Sequence, residues 1–315
     1  MNRLGLAYHE LFTVHDAGPD HPECPERIRA VMDAIKQATW DDAVDFIEAR
    51  EALSEEVGLA HDHRYINAMR RLCDAGGAYL VAMESNVGEE SYPAALRAVG
   101  AGLTLADGVM DGKWSIGFAP TRPPGHHATW DRPRGFCIFN NMAVLARYLM
   151  DRHNLERIGI FDFDVHHGNG TETAFWRDRR VFYCSIHRDN LFPYDRGRVL
   201  DRGEGGGEGS TLNIPLQAGS GDDVYIDAME KNVIPHFAEF DPQIILVSAG
   251  FDAHWKDIIG GMRLTGEGYA AIAGCLIKMA SGTSQGRIIT LLEGGYSLEG
   301  LAEGVTRYLG RLIEG

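Results

Sequence analysis

A chain of 315 residues, 44% hydrophobic and 24% charged, has the length and balance of one large α/β domain with a full core. Its formal net charge of −15 repels nucleic acid, so direct nucleic-acid binding is not expected; the acidic balance serves solubility first, with basic substrates such as lysine-rich peptides or polyamines as the charge-matched alternative. Five scattered cysteines with no CxxC pair exclude a disulfide framework and a thiolate zinc site. No stretch approaches the roughly 18 apolar residues of a membrane span, and the Met-Asn-Arg-Leu-Gly start lacks the apolar run of a signal peptide, so a cytoplasmic protein with no membrane partner is expected.

Short apolar runs alternate with amphipathic stretches along the chain. The pattern predicts a strand at Leu4–Tyr8, helices at Pro25–Ala38 and Pro93–Met110, and a strand at Ile116–Ala119. It continues with a helix at Met142–Arg152, strands at Ile158–Asp164 and Val181–Ile186, and a helix at Asp222–Phe240, where Ser220 and Asp223 resemble a capping box. A strand at Ile244–Ala249, a helix at Gly266–Ala280 and a strand at Ile288–Leu292 follow. The strand runs are nearly continuous rather than alternating, as strands buried on both faces of a parallel sheet require. The fold class is therefore α/β: a single domain over residues 1–315 with a mainly parallel sheet and helices on both faces. No composition break marks a linker, and the glycine cluster Gly203–Gly209 reads as a mobile surface loop.

Ionisable residues gather just past the C-terminal ends of these strands, the edge where open parallel sheets bind ligands. After Ile116–Ala119 comes Thr121-Arg-Pro-Pro-Gly-His126-His127-Ala128, whose paired imidazoles suit either metal ligation or acid/base work near neutral pH. The strand Ile158–Asp164 runs into Val165-His166-His167-Gly-Asn169-Gly170. Side chains alternate along a strand, so Asp162, Asp164 and His166 can point one way, and convergent buried carboxylates call for a cation. The strand Ile244–Ala249 ends in Gly250-Phe251-Asp252, which could complete an Asp-His-Asp set. Three mixed oxygen and nitrogen ligands with an open position suit a catalytic zinc, although iron(II) or cobalt(II) would also fit. Ile288–Leu292 ends in Glu293-Gly294-Gly295-Tyr296, where a double glycine gives the chain freedom and a tyrosine hydroxyl can meet a developing oxyanion.

Six motifs in fixed order over residues 21–296 resemble the arginase–deacetylase superfamily, specifically the zinc-dependent histone deacetylases and acetylpolyamine amidohydrolases. They are His21-Pro-Glu-Cys-Pro-Glu-Arg27, Arg122-Pro-Pro-Gly-His-His-Ala128, Gly135-Phe-Cys-Ile-Phe-Asn-Asn141, Asp162 to Gly170, Ser248-Ala-Gly-Phe-Asp252 and Glu293-Gly-Gly-Tyr296. The resemblance implies one zinc held by Asp164, His166 and Asp252. It implies His127 as the general base and acid, His126 as its electrostatic neighbour oriented by Asp162, and Tyr296 as the group that polarises the scissile carbonyl. Phe136 and Phe192 would wall a tunnel for an acylated alkyl-amine. The resemblance also implies a potassium ion near the zinc, at Asp162, Asp164, His166, Ser185 and Ile186, and a second one at backbone oxygens near Phe175, Asp178 and Val181.

Asn169 stands where class I enzymes carry an aspartate, so the chain resembles class II and the bacterial deacetylase-like amidohydrolases; without that carboxylate His127 is expected to stay more neutral. Glu84 aligns roughly with an acid that holds the substrate backbone. Ile259, seven positions after Asp252, occupies the place where polyamine-selective relatives can carry a glutamate, and an apolar residue there favours acyl-lysine or another neutral acyl-amide. The expected activity is hydrolysis of the amide of an acylated amine. Acetylpolyamine deacetylation is the alternative within enzymes, a non-catalytic acyl-lysine binder the alternative outside them, and homo-oligomerisation stays open. An arginase-type reaction would need a two-manganese ligand set that these motifs do not supply.

Overall fold

Long apolar runs form the middle of the structure, and the weaker ones its edges. The computed structural model describes residues 2–40 and 42–315. Its strands are β1 (Leu4–Tyr8), β2 (Val44–Glu48), β3 (Ala78–Leu80), β4 (Ser85–Val87), β5 (Ile116–Ala119), β6 (Ile158–Asp162), β7 (Val181–Arg188), β8 (Thr211–Leu216), β9 (Ile244–Ala249) and β10 (Ile288–Leu292). Its helices are α1 (Pro25–Gln37), α2 (Ser54–Val57), α3 (His63–Asp74), α4 (Ser91–Met110), α5 (Asn141–His153), α6 (Asn169–Phe175), α7 (Asp222–Ala228), α8 (Ile234–Phe240), α9 (Gly266–Gly282) and α10 (Leu298–Glu314).

Eight strands make one sheet in the order β2-β1-β5-β10-β9-β6-β7-β8, and every pairing in it is parallel. β3 and β4 form a separate antiparallel pair. The central strands β5, β6, β9 and β10 are buried at every position, which explains their predominantly apolar, non-alternating sequences. Neighbouring residues of β10 face opposite layers. Thr290 Oγ1 lies 2.9 Å from the Tyr308 hydroxyl on α10, whereas Leu291 points to α4 and α5 near Gly102 and Leu145. The layer of α1, α9 and α10 thus covers one face and α4 with α5 the other.

Two sequence expectations need correction. The predicted helix Asp222–Phe240 is broken into α7 and α8 by a π-helical turn at Met229–Val233. Pro235, which has no amide hydrogen to donate, stands just beyond that turn, at the start of α8. The capping box at its start does not form: Gly221 is the N-cap, Ser220 Oγ donates to Gln217 O, and the Asp222 carboxylate accepts from Thr265 N and Oγ1. The glycine cluster contains a short 3₁₀ turn at Gly205–Gly207, tied to the loop before β7 by Glu204 N donating to Trp176 O at 2.9 Å. No helix of the described residues is long and apolar enough to cross a membrane.

Candidate active site

Because all eight strands run the same way, their C-terminal ends share one edge, and the loops after β5, β6, β9 and β10 meet there. β6 stops at Asp162, two residues earlier than its sequence suggests. Asp162 Oδ1 accepts from Asp164 N at 3.2 Å and Asp164 Oδ1 accepts from His166 N at 2.8 Å. These two successive side-chain turns curl the chain off the strand. Strand alternation therefore does not govern residues 162–166, and Asp162 separates from the other two: its Oδ2 lies 3.1 Å from His126 Nδ1 and accepts from the Tyr183 hydroxyl at 3.2 Å.

Asp164, His166 and Asp252 converge, each offering one ligand atom within 4.8 Å of the others. His166 Nδ1 is 3.0 Å from Asp164 Oδ1 and 3.1 Å from Asp252 Oδ2. The remaining oxygen of each carboxylate is held by a backbone amide: Gly294 N donates to Asp164 Oδ2 at 2.8 Å, and Val165 N donates to Asp252 Oδ1 at 2.9 Å. Gly294 serves this close approach rather than chain freedom, since a Cβ there would collide with both carboxylates. Burial and the Asp164 charge push the Asp252 carboxyl upward. His166 is raised to about 9; burial opposes this, but the hydrogen bonds and charges of both aspartates outweigh it. His166 Nδ1 thus lies between one oxygen of each aspartate, and the three atoms face a common point. The donor set fits a small divalent metal, zinc included.

The paired histidines titrate in opposite directions. Burial works against charge on His126, but Asp162, Asp164 and Glu293 prevail and raise it to about 10. His127 is held well below its ordinary value by burial first, then by the charges of His126 and His166. The Asn169 side-chain amide lies 2.8 Å from His127 Nδ1. Its two orientations select different tautomers. With oxygen toward the ring, Nδ1 carries the proton and Nε2 is free to accept one; with nitrogen toward the ring, the Asn169 oxygen instead accepts from Gly170 N and Arg134 Nη1, both at 3.2 Å.

A cavity of about 330 Å³ leads from the surface to His127 and His166. Phe136, Phe192, Ile259 and Tyr296 line it, and exposed Glu84 stands at its rim. The Phe192 ring meets His127 edge-on at 4.9 Å between centroids, and the Phe136 and Tyr296 rings meet at 6.0 Å. Gly135 has φ +51, and a Cβ there would strike the His127 ring, so glycine lets the Phe136 loop pass over the histidine. Burial pushes the Tyr296 hydroxyl well above its usual range, which keeps it a donor at working pH. Residues expected around a cation behind the metal site are also neighbours: Asp162 and Ser185 are partners in the β6–β7 register, with Ile186 next in the strand. Phe175, Asp178 and Val181 share the turn after α6, where Asp178 N donates to Phe175 O at 2.9 Å and Val181 N to Asp178 O at 3.2 Å. The Asp178 carboxylate itself is bound by Arg147 and Arg180.

Other functional residues were given no role by the sequence reasoning. Glu293 is fully buried; its Oε2 accepts from Gly125 N and His126 N at 2.7 and 3.1 Å, fixing the histidine loop to the end of β10. Buried Arg27 donates to Gly295 O and Glu293 O, each at 2.6 Å, and its guanidinium lies 5.0 Å from the Tyr296 ring centroid. Glu23 in turn holds Arg27 and Arg122 at 3.0 and 2.6 Å. Their signal was present: both arginines and Glu23 sit inside motifs, and long charged residues in such a setting are rarely buried without a partner.

An eight-stranded parallel sheet carrying a candidate Asp-His-Asp metal site, a histidine pair and a tyrosine beside an aromatic-walled cavity has the make-up of a deacetylase, and the chain belongs to the histone deacetylase family, whose domain matches residues 21–312. It is 38% identical over 301 residues to the chloroplastic histone deacetylase 14 of Arabidopsis thaliana, covering 90% of this chain and 71% of that protein. It is 38% identical over 314 residues to the human polyamine deacetylase HDAC10, covering 95% of this chain and 46% of that one. The crystal structure of the HDA15 HD domain superposes with a TM-score of 0.93 at 32% identity, over 99% of this chain and 88% of that one.

Proposed function

We propose that this protein is a zinc-dependent hydrolase that removes the acyl group from an acylated amine, with acyl-lysine the favoured substrate. The observation that carries the reading is the convergence of Asp164, His166 and Asp252 beside His127 and Tyr296, at the inner end of a cavity with aromatic walls. When bound there, zinc supplies Lewis acidity and lowers the pKa of water to about 7.

The chain's own groups account for the rest. Phe136 and Phe192 hold the alkyl stem between flat faces and keep bulk water from the amide. His127 takes a proton from the attacking water at Nε2 and returns it to the leaving amine, which requires the Asn169 oxygen to face Nδ1. His126, kept cationic by Asp162, discourages a permanent charge on its neighbour and so keeps His127 available as a base. The Tyr296 hydroxyl donates to the carbonyl oxygen as charge builds on it. Apolar Ile259 beside a single rim carboxylate, Glu84, supports a substrate whose amine end is neutral beyond the stem. Potassium at the Asp162–Ser185 cluster belongs to the same reading, supported by the β6–β7 register that pairs them.

The test is turnover on an acetyl-lysine peptide beside acetylated putrescine and spermidine, with zinc measured on the same sample. Acetyl-lysine turnover in zinc-loaded protein is expected. Preference for the acetylated polyamines would transfer the assignment to that class, and no turnover of any of them by zinc-loaded protein would refute it.

A further inference from the structure

Asp257 has no part in the scheme above, yet the residue is only 3% exposed. A buried carboxylate without compensation is costly, so its partners indicate what it is kept for. No lysine, arginine or histidine pairs with it among the described residues. Three backbone amides do. Oδ2 accepts from Tyr296 N at 2.6 Å and from Ser297 N at 3.0 Å, and Oδ1 accepts from Ile259 N at 2.9 Å. One side chain thereby joins the tunnel wall at Ile259 to the loop that carries Tyr296.

Capping α10 does not explain this arrangement. Ser297 already caps that helix, its Oγ accepting from Gly300 N at 3.2 Å. Nor would a cap need to reach Ile259. The bonds instead grip one peptide unit from both ends: Arg27 Nε donates to the Gly295 carbonyl at 2.6 Å, and Asp257 accepts from the Tyr296 amide that shares its plane. Gly295 has φ +120, a conformation without side-chain restraint of its own, so the orientation of this peptide depends on its partners. The plane sets the direction in which the Tyr296 side chain leaves the backbone, and therefore where its hydroxyl stands in the cavity.

We infer that Asp257 is a positioning residue for the deacylation: its carboxylate, bridging Ile259 and Tyr296, sets the placement of the tyrosine hydroxyl against the substrate carbonyl. The inference rests on the role given to Tyr296 under the proposed function. A misplacement near 1 Å at a reacting group costs on the order of 10²-fold in rate, which bounds the effect.

The experiment is a two-by-two comparison. Asp257→Asn and Asp257→Ala are made in the natural chain and in Tyr296→Phe, with kcat, KM, zinc content and melting temperature measured on an acetyl-lysine peptide. Asp257→Ala should lower kcat by about 10- to 100-fold with KM and zinc content little changed. Asp257→Asn keeps one acceptor oxygen and must give up one set of amides, so it should lose less, about 3- to 10-fold. In the Tyr296→Phe background both should cost under about twofold, because the hydroxyl they position is gone. The same factor in both backgrounds, or an unchanged kcat in the natural one, would overturn the inference. Should Asp257→Ala not fold, the Asp257→Asn pair alone decides it. Near-normal turnover by Tyr296→Phe itself would remove the tyrosine from the mechanism, a failure visible before any Asp257 variant is made.

Discussion

Replacing Tyr296 with phenylalanine removes one oxygen from the cavity and leaves the surrounding packing in place. The ring keeps its edge contact with Phe136, and Arg27 keeps its position over the ring face. The Tyr296 amide keeps its bond to Asp257. Burial raises the hydroxyl against the opposing charge of Arg27, and no described group hydrogen-bonds to it, so its loss should leave no protein group newly unpaired. Stability and zinc content should therefore be unchanged. The rate should not. Removing one oxyanion donor typically lowers turnover by about 10²–10³, or roughly 3–4 kcal/mol of barrier, because the bond strengthens only as charge develops. Substrate affinity should move by less than about threefold on the same argument. Steady-state kinetics on an acetyl-lysine peptide, with metal analysis of the same preparation, measure both quantities. A kcat within threefold of the natural enzyme would refute the reasoning, and so would a loss of zinc in parallel with activity.

His127→Ala should retain zinc and lose about 10²–10⁴ in turnover, the usual contribution of a positioned proton-transfer group; loss of metal would place His127 among the ligands instead. Asn169→Asp puts a carboxylate against His127 Nδ1 and should raise that imidazole's pKa. A base must be unprotonated in the free enzyme, so the acidic limb of the kcat/KM profile should move to higher pH, and an unmoved limb or a shift to lower pH contradicts the base role. Glu23 is opposed by burial but held down to about 2 by Arg122 and Arg27, against an ordinary value of 4.5. Its contribution to stability is present above pH 4.5 and lost as pH falls toward 2. Glu23→Gln should cost on the order of 3–5 kcal/mol near pH 7 by urea unfolding, with a gap that narrows below pH 4.5; a pH-independent gap would show that the charge is not what matters.

The sheet was legible where burial is two-sided. β5, β6, β9 and β10 are predominantly apolar because helices cover both faces, and their few polar residues, Asp162, Ser248 and Thr290, are buried with them. The edges were not. In β2, Val-Asp-Phe-Ile-Glu is half exposed, and β8 carries Pro215, which an edge strand tolerates and a central strand would not. α10 is amphipathic with a regular apolar face, a signal that was present at 298–314 and not read. At the site, strand alternation grouped Asp162 with Asp164 and His166. The carboxylates themselves make the turns that separate them, an effect of side chain on backbone that periodicity does not contain. Asp257 was unreadable for a different reason: its partners are three backbone amides, and two of them lie 39 and 40 residues away.

The central claim is that Asp164, His166 and Asp252 hold one catalytic zinc. The most direct measurement is metal stoichiometry and acetyl-lysine turnover on one preparation of the natural chain before chelation, after chelation and after zinc is restored, beside Asp252→Ala. The account predicts about one zinc per chain, activity lost on chelation and recovered with zinc, and an Asp252→Ala protein that folds but neither retains the metal nor turns over. Full activity in metal-free protein, or in Asp252→Ala at full zinc occupancy, would contradict it.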